Sequence, residues 1–190
     1  MKPLPDPELT KLASDFTVRD YRTARGTMHQ VRIAEGIRRR FTERYISPAA
    51  NGPNRHGFTM MAISCLMIEA FVSLRKGWKN SNGKSEDAIS SFFDDTDLFK
   101  DLRSHGKAFY KHVRCGILHQ AEATGGWKIS RKGPLFDPGT NSVNAVRFLR
   151  NLQSALDDFC DRLRSAPWDG PEWKNVRAKL DIICENCTKI

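Results

Sequence analysis

The chain has 190 residues, 39% of them hydrophobic and 28% charged. That length builds a real core without disulfide or metal staples, and the composition excludes disordered and collagen-like chains. Lysine and arginine outnumber aspartate and glutamate by 31 to 22, for a net charge of +9. The excess is uneven. Residues 19–55 hold nine arginines against three acidic residues, and residues 100–132 hold eight Lys/Arg against two. Two basic stretches suit a polyanionic partner, nucleic acid first, with an ordinary solvated basic face as the alternative.

Cys65, Cys115, Cys160, Cys184 and Cys187 are odd in number and scattered, which argues against a disulfide framework and for a reducing compartment. The polar, proline-containing stretch Met1–Thr10 lacks the apolar core of a signal peptide. The longest apolar run, Phe58–Leu74, is short for a membrane span and carries Glu69. A cytoplasmic protein with no membrane partner is the expectation. Cys184 and Cys187 have the spacing of half a zinc site, but no second pair or nearby histidine completes it, so no metal or cofactor is expected.

In chain order, Thr27–Ile46 reads as a helix with Val31, Ala34, Ile37, Phe41 and Tyr45 on one face, ended by Ser47-Pro48 and Asn51-Gly52-Pro53. Residues 57–76 form a helix apolar on most sides, suited to the centre of a bundle. Ser85–Phe93 is a short helix with Ser85 as its cap, and Asp94-Asp95 begin another over Leu98, Phe99 and Leu102. A helix over 106–121 buries Phe109, Val113, Gly116 and Ile117 and stops at Gly125-Gly126. Residues 127–129 and 134–136 predict a small irregular hairpin. Asn141 or Ser142 caps a long helix running to Pro167, and a last helix from Pro171 carries Trp173, Val176, Leu180 and Ile183. The fold class is all-α, an antiparallel bundle of about five to seven helices in a single domain over 1–190, with a C-terminal helical appendage at about 170–187.

Within 106–121, Arg114 and His119 are separated by four residues in an otherwise apolar helix. With the central apolar helix carrying Glu69 before it and a long closing helix after it, this order resembles the HEPN superfamily, whose signature is Arg, four to six residues, then His. The resemblance covers roughly residues 27–165. It implies a homodimeric, metal-independent endoribonuclease of the kind found in toxin and antiviral defence systems, with RNA as substrate and, for toxins, a cognate inhibitor or antitoxin. By that resemblance His119 acts as general base on the ribose 2′-hydroxyl or general acid on the leaving 5′-oxygen, and Arg114 binds the scissile phosphate. Glu69 is a further candidate for the catalytic centre.

Arg38, Arg39, Arg40, Tyr110, Lys111 and Lys128 are candidates for RNA contact. Positions five apart on a helix lie about 140° from one another. Arg114 and His119 of one chain therefore do not naturally meet at one phosphate, whereas two helices about a two-fold axis would bring two of each together, with Gly116 allowing close approach. Two positions depart from the family pattern: Cys115 stands where active members carry a polar residue, and Ala121 where members paired with a nucleotidyltransferase antitoxin carry tyrosine. The plainer alternatives are a structural Arg114–Glu69 ion pair, a His119 favouring the helix C-terminal dipole, and a catalytically silent module binding RNA, nucleotide or a partner protein.

Overall fold

A computed structural model describes residues 6–51 and 56–188. Gly52 and Pro53 of the expected turn lie outside the described residues. The fold is mostly α-helical, a helical bundle with two small sheets. In chain order come β1 (Lys11–Ala13), β2 (Phe16–Thr17), α1 (Val18–Gly26), α2 (Gln30–Phe41), a π-helical turn (Thr42–Ile46), α3 (Ser47–Ala50), α4 (Gly57–Arg75) and α5 (Ser85–Asp94). A 3₁₀ helix (Asp97–His105) then leads into α6 (Gly106–Phe109), a second π-helical turn (Tyr110–Arg114) and α7 (Cys115–Gln120). Strands β3 (Lys128–Ser130), β4 (Phe136–Asp137) and β5 (Ser142–Asn144) precede α8 (Ala145–Ser165) and α9 (Pro171–Thr188).

The chain divides into two compact units, each assembled from separated segments. The first takes residues up to 43, 73–79 and those from 156 on. Its α1 starts at a capping box: the Thr17 hydroxyl accepts from the Asp20 N–H, and the Asp20 carboxylate accepts from the Thr17 N–H at 2.8 Å. These Thr17 hydrogen bonds hold the Asp20 carboxyl below its ordinary range. Helix α2 buries Ile33, Ala34, Gly36, Ile37 and Phe41, while Val31, expected on that face, is 50% exposed. The helix begins at Gln30 rather than Thr27 because Met28 takes a left-handed conformation, φ +54°, and breaks the turn. It also does not stop at Ser47-Pro48. The proline sits in the first turn of α3, where it costs no hydrogen bond. In helix α9 Trp173, Val176, Leu180 and Cys184 are buried, and the Trp173 Nε1–H donates to the Leu163 carbonyl at 3.0 Å.

The second unit takes residues 44–72 and 80–155. Its core is an aromatic cluster in which Phe99 lies 4.8 Å from Phe148 and 5.1 Å from Phe92, and Phe109 stacks on Phe148 at 5.4 Å. Such pairs add about 0.5–1.5 kcal/mol each beyond the area they bury, and they fasten α5, the 3₁₀ helix, α6 and α8 to one another. The 3₁₀ helix starts at Thr96, whose hydroxyl accepts from the Leu98 N–H, rather than at Asp94-Asp95. The expected hairpin is a three-stranded sheet instead. β5 lies between the other two, parallel to β3 and antiparallel to β4. The cap of α8 is accordingly Asn144, not Asn141 or Ser142: its Oδ1 accepts from the Val146 and Arg147 N–H groups at 3.1 Å.

Helix α4 is the one described helix long and apolar enough to cross a membrane, with a mean hydropathy of 1.8 over its window, so the run is not short of a span. Most of it is buried, as befits a core helix: Met60, Met61, Met67, Ile68 and Phe71 pack inside. Leu66, by contrast, is 49% exposed.

Candidate active site

The site is built on the segment Gly106–Gln120 and on residues 57–72 of α4, both in the second unit. The segment is one continuous helical run whose middle turn is widened. The Cys115 N–H donates to the Tyr110 carbonyl five residues back, the mark of a π turn, which recurs at functional sites. Phe109, Val113 and Gly116 are buried as the periodicity implied.

The loop after α7 folds back on this turn. Thr124 N–H donates to the His112 carbonyl at 2.9 Å, and Thr124 Oγ1 lies 3.1 Å from His112 Nδ1. Gly125, at φ +59°, lies against the His112 ring, where a Cβ would come within 2.4 Å of Nδ1. Gly116 serves the same closure. A Cβ there would meet the Glu122 carbonyl oxygen at 2.5 Å, so its missing side chain makes room for the chain's own loop rather than for a partner helix. Ala121 ends α7 in the left-handed conformation, φ +55°, its N–H donating to the Gly116 carbonyl.

Arg114 leans toward α4. Its Nε donates to Glu69 Oε1 at 2.8 Å, and the two side chains are only 16% and 10% exposed. The other carboxylate oxygen, Oε2, accepts from the Ser85 hydroxyl at 2.6 Å. Ser85 was expected to cap α5; it instead secures Glu69, and Lys84 precedes the helix without a side-chain cap. Burial works against the Arg114 charge, but the hydrogen bond and charge of Glu69, with help from Cys115, outweigh it and raise its pKa. The Tyr110 ring lies 5.7 Å from the guanidinium carbon. The neighbouring Cys115, with partial burial, raises the Tyr110 phenol's pKa.

Arg114 also borders an apolar cavity of about 160 Å³ lined by Ala62, Cys65, Leu66, Ile117 and Leu118. Leu118 is 56% exposed, so Leu66 and Leu118 leave an uncovered apolar rim beside the arginine. Burial pushes the Cys65 thiol up to about 12, so it stays protonated.

His119 is exposed and, among the described residues, has no hydrogen-bond or ionic partner. It follows the π turn within α7, so its direction is about 140° from that of Arg114. The structure therefore brings together Arg114 and Glu69 and leaves His119 on another side of the same helix.

The RNA-contact candidates divide between the units. Tyr110 is half-buried, and Lys111 and Lys128 are exposed, all in the second unit. Arg38, Arg39 and Arg40 belong to the first, where their charge is largely committed. Arg38 reaches Asp161 at 2.6 Å and Asp157 at 3.0 Å, Arg39 reaches Asp15 at 2.5 Å, and Arg40 donates to the Leu12 carbonyl at 2.9 Å. Among the described residues no three His, Cys, Asp or Glu side chains gather as a metal-ligand set. Sequence reasoning did not single out Ser85 or Thr124 as supports of the site, since neither carries a spacing signal of its own.

No protein-family profile, curated protein or solved structure matches the chain.

Proposed function

We propose that the chain is a metal-independent endoribonuclease of HEPN type, cleaving RNA by attack of a ribose 2′-hydroxyl on the adjacent phosphate. The observation that carries this reading is an arginine locked in place beside an open cavity, with a histidine five residues on that has no partner among the described residues. The Glu69 bond engages Nε, one of the five N–H donors of a guanidinium, and leaves a planar group fit to take a phosphate oxygen. His119, exposed and without a partner among the described residues, carries an imidazole, a side chain able both to take and to give a proton. In the reaction a histidine takes the proton from the 2′-hydroxyl, the 2′-oxygen bonds to phosphorus, and the 5′-oxygen leaves with a proton from a second acid. The products are a 2′,3′-cyclic phosphate and a 5′-hydroxyl. Because Arg114 and His119 of one chain point apart, a homodimer supplies the second histidine and closes the cleft, and the uncovered Leu66 and Leu118 give such a contact apolar surface. In this reading the protein serves as a toxin or defence effector held in check by an inhibitor.

A second reading, a silent module that binds RNA, nucleotide or a partner protein without cutting, is favoured by one observation: Arg114 is in a nearly buried ion pair. Cleavage of RNA in EDTA separates the two, using wild type, Arg114→Ala and His119→Ala, all shown to be folded by circular dichroism. The nuclease reading requires that wild type cuts and that both variants lose cutting. His119→Ala is the decisive arm, because the side chain is exposed and its removal leaves the fold intact. An inert wild type leaves the binding module, and cutting that survives in both variants refutes Arg114 and His119 as the cutting site.

A further inference from the structure

The π turn at Tyr110–Arg114 does more than widen the helix: it resets which residues share a face. Lys107 and His119 are twelve positions apart, and on an uninterrupted α-helix, at about 100° per residue, they would lie about 120° apart. A turn closed between residues five apart advances by only about 80° per residue, so five such residues take back about 100°. Lys107, Lys111, Cys115 and His119 then fall within about 40° of a single line. Exposure follows that line: Lys107, Lys111 and His119 are exposed and Cys115 half-exposed, while the intervening Phe109, Val113 and Gly116 are buried. Lys107 has a side chain 86% exposed and only a distant acidic neighbour, Glu86, at 4.0 Å. Lys111 has no ionic partner among the described residues.

We propose that this line is the track on which a single strand of nucleic acid is laid so that one of its phosphodiesters reaches His119. The inference rests on the nuclease reading above for its endpoint. Lys107 and Lys111 are separated by about 6 Å of helical rise, and His119 lies about 12 Å beyond Lys111. Two lysines in line with a histidine follow one backbone, whereas the two strands of a duplex curve away from that line. Tyr110, half-buried beside Lys111, offers an aromatic face for a base, the second ingredient of single-strand binding. Lys107 and Lys111 are thus positioning residues for the strand and take no part in proton transfer.

The test measures binding without cleavage, by fluorescence anisotropy with a labelled 2′-O-methyl RNA 12-mer that has no 2′-hydroxyl to attack. The variants are Lys107→Gln/Lys111→Gln and, as a control of equal charge change, Lys79→Gln/Lys174→Gln. The track requires that the first pair weaken binding on the order of tenfold at 0.1 M salt and flatten the salt dependence by about 1.4 in log–log slope, about 0.7 for each lost phosphate contact on a single strand. It also requires that the control pair bind nearly as wild type, and that a duplex of equal length bind more weakly. A single-stranded DNA arm shows whether the sugar is read. The inference is overturned if the two pairs weaken binding equally, if duplex binds as well as single strand, or if only vesicles of anionic lipid are bound. Because the probe cannot be cut, a wild type that binds along the track but never cleaves RNA refutes the nuclease reading and leaves the track standing.

Discussion

Replacing Glu69 with alanine exposes what the Arg114 pairing contributes. The substitution strands a guanidinium whose side chain is 16% exposed and removes the acceptor of the Ser85 hydroxyl. Breaking one side of a buried ion pair typically costs about 3–5 kcal/mol, and the slight water access at Arg114 places this pair near the lower end, about 3 kcal/mol. Losing the Ser85 bond adds roughly 1 kcal/mol. Glu69→Gln keeps an acceptor and forfeits only the charge, so it should cost about half as much. In the double variant Glu69→Ala/Arg114→Leu no charge is left buried, and stability should recover, with a coupling energy of about 2 kcal/mol or more in a double-mutant cycle. Urea unfolding at pH 7, followed by circular dichroism, reads wild type, Glu69→Ala, Glu69→Gln, Arg114→Leu and the double variant. A Glu69→Ala cost below about 1 kcal/mol, or single effects that simply add, would refute the buried pair as the anchor of Arg114.

Other positions around the site give sharper local tests. Ala121→Gly should raise stability by about 0.5–1 kcal/mol in the same urea assay, since the residue is exposed and left-handed. Gly125→Ala should lower it by about 1–3 kcal/mol, because a Cβ would strike the His112 ring at a left-handed φ, and hydrogen exchange at Thr124 should quicken. The Cys65, Cys160 and Cys184 thiols are each raised by burial to about 12. The folded state therefore holds their protons longer than the unfolded chain, and the stability they contribute is full below about pH 8.5 and lost as pH climbs toward 12. The urea midpoint should fall steadily above pH 9, and Cys65→Ala should remove about 1 kcal/mol per pH unit of that decline.

Much of the helical framework could be read from apolar spacing. Leu149, Leu152, Leu156, Phe159 and Leu163 are all buried along α8, and Trp173, Val176 and Leu180 along α9. Periodicity failed where local geometry changes. The π turns alter the residues per turn without altering composition, and Met28 breaks α2 through its backbone rather than its side chain. The capping box Thr17–Asp20 was a legible start signal for α1 that apolar spacing passes over, because only Val18, Tyr21 and Ala24 of that helix are buried. The place of β5 between β3 and β4 depends on a parallel pairing that no turn residue announces. At the site, the Arg114–Glu69 pairing was foreseeable as a structural ion pair, since a lone acid in an apolar helix needs a partner. The attachment of Ser85 to the same carboxylate was not, because it depends on how α5 lies against α4 rather than on spacing.

The account turns on a 2′-hydroxyl attack served by His119, and the most direct measurement is the fate of one RNA oligonucleotide in EDTA beside a copy carrying a single 2′-deoxy nucleotide at the cleaved position. The account predicts cleavage of the first to a 2′,3′-cyclic phosphate and a 5′-hydroxyl, no cleavage at the deoxy position, and no cleavage of either by His119→Ala. An uncut all-RNA oligonucleotide, cleavage at the deoxy position, or unchanged cutting by His119→Ala would contradict it.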